Sequence, residues 1–298
     1  MTGGRRSGIL VTHTVNTKHN IDTKMRTKTL LIAAAALAAG VISSQAQPVY
    51  SANIVGYVNQ TAGKNFNAFS VPLDLAGGNT LTNIIQNIPD TNPTDPNYQG
   101  GIYDYTTVYI WNGSGYTIYT LDSGWPTGVG NAKDNAAVTP PIINPGTLYY
   151  FDNTTPNAYT NTSVGIVHAD NAPTGSQIAG VTTNIFLANA YTFVSSKLPI
   201  AGGVTSVLGL TNTPDTNPAD ANYQGGTLDY TVLYIPNISV TGQFLGYNEV
   251  TIDSGWSTGF GNAKDNAQVA EPVIPVGGGF IFQNNLKPAQ NIVWTQSL

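Results

Sequence analysis

A mainly β protein is what the sequence predicts: two tandem β-sandwich-like modules, each with one short helix. The first observation behind this is an internal duplication. DTNPTDPNYQGG at Asp90–Gly101 returns as DTNPADANYQGG at Asp215–Gly226, and DSGWPTGVGNAKDNA at Asp122–Ala136 returns as DSGWSTGFGNAKDNA at Asp253–Ala267. The offset is 125 residues for the first pair and 131 for the second, so six residues were gained between the motifs in the second copy. Motif order is kept and the period is domain-sized, well above the roughly 20–50 residues of solenoid repeats. The second observation is a series of short β-branched and aromatic segments separated by Gly, Pro and Asn turns, the pattern of an all-β sandwich or barrel.

The elements follow in order. Leu30–Ile42 is an apolar run of 13 residues, preceded by Arg26 and Lys28 and followed by a small-residue stretch ending in Ser44-Gln45-Ala46. It reads as a secretory signal peptide cleaved after Ala46, and it is shorter than the about 20 residues a membrane span needs. Met25 stands at the natural start of such a signal, so translation beginning at Met1 or at Met25 is left open. The expected organisation is a leader at 1–46, a first module at 47–160 and a second at 161–298, with the polar stretch Asn153–Ser163 as the boundary. Within the first module, Asn53–Val58 and Phe66–Leu73 read as strand, turn, strand. Asn79–Ile88 places Leu81, Ile84, Ile85 and Ile88 at helical spacing before Pro89, and Val204, Val207 and Leu208 repeat this more weakly. Thr106–Trp111 and Tyr116–Leu121, joined by Asn-Gly-Ser-Gly, form a hairpin signal. The second copy carries its six extra residues in the corresponding connection, Pro236–Leu245, where loop-closure entropy grows slowly with length. Thr147–Phe151 and Gly279–Phe282 close the two modules.

Charge narrows the partners. Beyond Ala46 the chain has five lysines, no arginine, one histidine (His168) and no cysteine; against fifteen acids its formal charge is −10. Such a surface excludes nucleic acid, whose binding needs Lys or Arg to release counterions, and is a poor partner for anionic lipid. No membrane insertion is expected after signal cleavage. Without disulfides, stability rests on the core.

Ten of those fifteen acids form five duplicated pairs: Asp90/Asp215, Asp95/Asp220, Asp104/Asp229, Asp122/Asp253 and Asp134/Asp265. Calcium is the one cofactor candidate. It takes about six to eight oxygens, and Asp90, Asn92, Asp95 and Asn97, with their duplicates Asp215, Asn217, Asp220 and Asn222, cluster such oxygens. The same residues also suit Asx turns between prolines, and the spacing departs from an EF-hand loop. Glycan is the second ligand candidate. Trp125 and Trp256, beside Asp122 and Asp253 in Gly-flanked loops, offer a ring with polar neighbours; the alternative is a ring packed as a lid on a sheet edge. The tyrosines Tyr103, Tyr105, Tyr109, Tyr116 and Tyr119 read as cross-strand pairs.

An enzyme lacks parts here. There is no cysteine nucleophile, His168 is alone beyond the leader, and no nucleophile elbow, zinc helix or phosphate loop stands in a supporting context. Two carboxylates can hydrolyse a glycoside, and Asp104 with Asp122, or Glu249 with Asp253, are the pairs to consider.

The series NIVGYV, FNAFSVPL, GNTLTNII, TTVYIWNGSGYTIYT, the Gly-Trp loop and PGTLYYF resembles uncharacterised exported β-rich tandem-module proteins of Verrucomicrobia-type bacteria. The resemblance spans most of the chain beyond the leader and implies secretion and a β-rich fold; it transfers no catalytic residue. The expected function is a secreted, non-enzymatic structural or adhesive protein of the cell surface or extracellular matrix, with polysaccharide or surface components as partners. Extracellular glycan binding through Trp125 and Trp256 is the alternative, and a glycosidase-like enzyme stands behind both.

Overall fold

Alternation between apolar and polar residues, switching to continuous apolar runs in two places, dictates the architecture. A computed structural model describes residues 55–87, 89, 100–155, 158–168, 170, 182–214, 225–239 and 244–297. The leader at 1–46 and the proposed calcium ligands at 90–97 and 215–222 lie outside the described residues. The first half contains β1 (Val55–Ala62), β2 (Asn65–Phe69), β3 (Leu73–Leu75), a helix α1 (Leu81–Ile84), β4 (Thr107–Trp111), β5 (Tyr116–Leu121), β6 (Val129–Asn131), β7 (Tyr149–Asn153) and β8 (Tyr159–Val167). The second contains β9 (Thr182–Phe186), β10 (Tyr191–Ser195), β11 (Gly202–Gly203), β12 (Val232–Ile238), β13 (Phe244–Ile252), β14 (Phe260–Asn262), β15 (Val273–Ile274), β16 (Gly279–Gln283) and β17 (Ile292–Gln296). The fold is mainly β, as the sequence predicts.

Two five-stranded antiparallel sheets, ordered β2-β7-β4-β5-β6 and β10-β16-β12-β13-β14, are copies of each other. The duplicated sequence therefore folds to duplicated topology. Each half closes on itself by pairing its first strand with its last: β1 with β8, and β9 with β17. Strand β8 also pairs with β3. It thus completes the first half and runs through the boundary drawn at 160/161, because its hydrogen-bond partners are β1 and β3.

The helix is shorter than its spacing predicts, and only one forms among the described residues. Thr80 occupies the cap position without a side-chain capping bond to the backbone, and the backbone leaves helical geometry at Ile85. In the second half Gly209 stands where the first has Ile84, whereas Gly202 and Gly203 repeat Gly77 and Gly78. The chain makes a turn there, with the N–H groups of Val207 and Leu208 both donating to the Gly203 carbonyl. Glycine's backbone entropy and the weaker apolar spacing favour a turn over a helix.

Each half has its own core. Val58, Leu73, Leu81, Ile84, Val108 and Phe151 lie in the first; Phe186, Leu233, Phe260, Phe280, Phe282 and Trp294 lie in the second. Strands β7 and β16 are buried on both faces, which explains their continuous apolar sequences. Tyr149 and Phe151 point into the first core, while Leu148 and Tyr150 point the other way. There they meet Ile281 of β16, with Phe66, Tyr109, Phe193, Tyr234 and Tyr247 packed around them. The two sheets therefore face each other across an aromatic seam. Residues 52–298 make one compact unit.

The seam is reciprocal. The N–H of Ser70 donates to the Gly277 carbonyl (2.7 Å), and the N–H of Ser195 donates to the Gly146 carbonyl (2.8 Å). Ser70 and Ser195 are 125 residues apart, and Gly146 and Gly277 are 131 apart, so one hydrogen bond is made twice about an approximate two-fold axis, as in an isologous dimer. Both glycines have positive φ, +83° and +71°. Only glycine turns there without strain, and a Cβ on Gly277 would lie 2.7 Å from Gln60 Nε2.

Candidate functional site

The repeated loops are held by one buried aspartate in each half. Asp104 and Asp229 are each 2% exposed. Asp104 accepts hydrogen bonds from Asn87 Nδ2 (2.6 Å), the N–H of Gly101 (2.9 Å), the N–H of Ser123 (2.6 Å) and Ser123 Oγ (2.6 Å). Asp229 does the same with Asn212, Gly226 and Ser254 at 2.6 to 2.9 Å. A carboxylate offers about four acceptor positions, and all four are used. This ties the end of the Asp-rich motif to the start of the Gly-Trp motif, which accounts physically for both motifs staying together in both copies. The neighbouring residues Tyr105 and Tyr230 both have positive φ, another shared constraint.

Among the described residues, the other duplicated loop carboxylates are likewise engaged internally. Asp122 Oδ1 accepts from the N–H of Gly124 and Asp253 Oδ1 from that of Gly255, each at 2.8 Å. Asp134 and Asp265 cap the turns at Ala136 and Ala267. Trp125 and Trp256 are partly buried. Their pyrrole edges lie over Gly130 and Gly261: a Cβ built on these glycines would stand 3.1 Å from Trp125 Nε1 and 2.9 Å from Trp256 Nε1. Trp256 Nε1 approaches Asn266 Oδ1 at 3.5 Å, whereas Trp125 Nε1 is buried with no hydrogen-bond partner among the described residues. One edge of each indole thus covers a sheet edge, and the ring is not a free-standing platform.

The carboxylate pairs weighed for hydrolysis are not assembled as such. Asp104 is saturated by its four donors, and Asp122 holds its own turn. Glu249 and Asp253 are four residues apart along extended chain, about 13 Å, wider than the about 5–9.5 Å of paired glycosidase carboxylates. Glu249 lies 3.7 Å from Lys264 Nζ. A cavity of about 460 Å³ opens beside this ion pair, lined also by Ile235, Asn248, Asn262 and Pro272. No group of three His, Cys, Asp or Glu residues suited to a metal occurs among the described residues.

His168, a lone histidine in the sequence beyond the leader, belongs to a charged chain. Its Nδ1 is 2.9 Å from Asp74 Oδ2 and its Nε2 2.9 Å from Asp170 Oδ1; Lys197 Nζ stands 2.9 Å from the same Asp170 oxygen. Burial alone would raise the Asp170 pKa. The Thr183 N–H and the Lys197 and His168 side chains outweigh it and bring the value down to about 2. The network joins β3 of the first half to the second half through residue 170.

A further site includes two of the tyrosines whose alternation reads as cross-strand pairing, Tyr109 and Tyr116. At the seam, Phe66, Tyr109, Tyr116, Tyr150, Phe244 and Tyr247 line a cleft of about 260 Å³. Tyr150 and Tyr247 share a hydroxyl–hydroxyl hydrogen bond of 2.7 Å across the two halves. Burial first, then the Tyr247 hydroxyl, pushes the Tyr116 and Tyr150 phenols far above their usual range; burial also raises Tyr247. These phenols remain protonated at any ordinary pH. Alternation in sequence marks Tyr109, Tyr116 and Tyr247 as one-faced, but that the face meets a second sheet is a tertiary fact.

Against protein-family models, curated proteins and solved structures, the chain has no match. Among the described residues no helix is long and apolar enough to cross a membrane.

Proposed function

We propose that this chain is an exported, non-enzymatic structural or adhesive protein of the cell surface or extracellular matrix. The observation that carries the reading is the use of the duplicated acids among the described residues. Asp104, Asp122, Asp134 and their duplicates Asp229, Asp253 and Asp265 all accept main-chain N–H groups of their own loops. What the two copies share is loop shape, held rigidly and presented twice. Two equivalent loop sets on one chain support bivalent attachment to a repetitive partner such as polysaccharide or matrix, where the second contact is intramolecular. Export rests on the leader ending at Ala46.

Fractionation of producing cells with N-terminal sequencing tests this. The expected product begins at Gln47 and is recovered in the surface or matrix fraction. A chain retained in the cytosol with its leader intact overturns the reading, as does reducing-sugar release from a polysaccharide panel. Glycan binding by the Gly-Trp loops keeps one supporting observation, the partial exposure of both indoles. In that case polysaccharide quenches tryptophan fluorescence, and Trp125→Ala with Trp256→Ala abolishes the effect.

A further inference from the structure

The seam cleft is walled entirely by rings. Tyr109 and Tyr116 stand at 88° to each other, Phe244 and Tyr247 at 77°, and Tyr116 and Tyr150 at 70°. The space lies where the two halves carry different residues. Elsewhere on the seam Trp111 stacks on Phe193, with centroids 4.7 Å apart and planes at 22°. The repeat register replaces that pair with Pro236 and Ala68. Beside those smaller residues, Phe66 (two positions from Ala68) and Phe244 (across from Ile238 in β12) approach to 6.4 Å, and the cleft opens.

The chemistry of the walls selects the guest. The Tyr150 and Tyr247 hydroxyls are bonded to each other, so few free polar groups remain for a sugar, which needs several convergent ones. A primary ammonium carries three N–H donors, and the ring walls themselves offer few acceptors for them. A quaternary ammonium has no N–H to satisfy, and ring faces attract it by about 0.5–2 kcal/mol. Among the described residues no lysine or arginine lines the cleft. A carboxylate does stand beside it: Asp152 lies on the same face of β7 as Tyr150, about 7 Å along the strand, and directly opposite Phe66 in register. That carboxylate has no side-chain partner among the described residues, and burial raises its pKa. The equivalent position in the second half is Gln283, which is neutral and accepts the Tyr234 hydroxyl at 2.9 Å. The unpaired acid is therefore found on the half where Phe66 borders the cleft.

We propose that the aromatic cleft binds a quaternary ammonium group, with Asp152 as its counter-charge. Choline and tetramethylammonium are the probes, titrated into the purified protein by calorimetry; 3,3-dimethylbutan-1-ol, the uncharged isostere of choline, is the control. Saturable binding of both cations at millimolar affinity or tighter is expected, with the isostere at least about tenfold weaker. Asp152→Asn weakens choline by about three- to tenfold, and Phe244→Ala by about tenfold, with circular dichroism unchanged. Equal affinity for choline and its isostere overturns the proposal by making the cleft merely apolar. So does failure of choline to saturate, affinity unchanged in both variants, or preferential binding of cello-oligosaccharide at the same residues.

Discussion

Asp104 and Asp229 show how one buried side chain can hold two stretches of sequence in register. Each receives four hydrogen bonds, two of them from main-chain N–H groups. Removing the acceptor strands buried donors, at about 1–3 kcal/mol apiece where no water replaces it. Asp104→Ala is expected to cost at least about 3 kcal/mol in urea unfolding, and Asp229→Ala a similar amount; a loss below about 1 kcal/mol would mean the clamp is dispensable. Asp170 makes a different prediction. Its folded pKa is depressed to about 2, so its contribution is present above the ordinary carboxylate value of about 3.9 and is lost as pH falls towards 2. The stability gap between the parent and Asp170→Asn should therefore close between about pH 4 and pH 2. Thermal melts across that range check it, and a gap independent of pH contradicts it.

At the scale of elements, strands with continuous apolar runs or alternation beside a clear turn signal, such as β4, β5, β7 and β16, are legible, whereas the start of β8 lies in the stretch that reads as a polar boundary and β17 gives little signal. The hairpin of β4 and β5 sits where alternation around Asn112-Gly113 places it, with the Asn112 side chain accepting the N–H groups of Ser114 and Gly115. The helix was less legible, because an i, i+3, i+4 apolar pattern also suits a single turn whose next residues must reach Asp104 through Asn87. In the second copy Gly209 replaces Ile84, and the stretch is left as a turn. Trp294 went unread, yet it is the largest fully buried side chain, and its Nε1 donates to the Leu208 carbonyl at 2.8 Å. Its only signal was alternation within a short C-terminal strand. The Gly-Trp loop could be recognised as a unit but not oriented: Gly130 and Gly261 make room for the indole edge, and that shows only once β6 and β14 are placed. Gly261→Ala is expected to displace the Trp256 ring, red-shifting tryptophan emission and destabilising the protein by about 1–2 kcal/mol. An unchanged emission maximum would show that the ring does not rest on that strand.

For the whole molecule, the seam makes two repeats into one cooperative body. Leu148, Tyr150 and Ile281 are buried between the sheets, and the reciprocal bonds of Ser70 and Ser195 sit beside them. Burying this face links the stability of each half to the other. Calorimetry should accordingly show a single transition with equal calorimetric and van't Hoff enthalpies; two resolved transitions would mean the halves are independent. By itself the sequence determined the duplication, the β periodicity, the anionic surface and the expectation of export, because each depends on residue type and spacing along the chain. Only the tertiary structure decided that β8 closes the first half, that the duplicated aspartates among the described residues are spent on their own loops, and that the tyrosine faces meet. The reason is physical: periodicity states which face of a strand is apolar, whereas what covers that face depends on surfaces far apart in the chain.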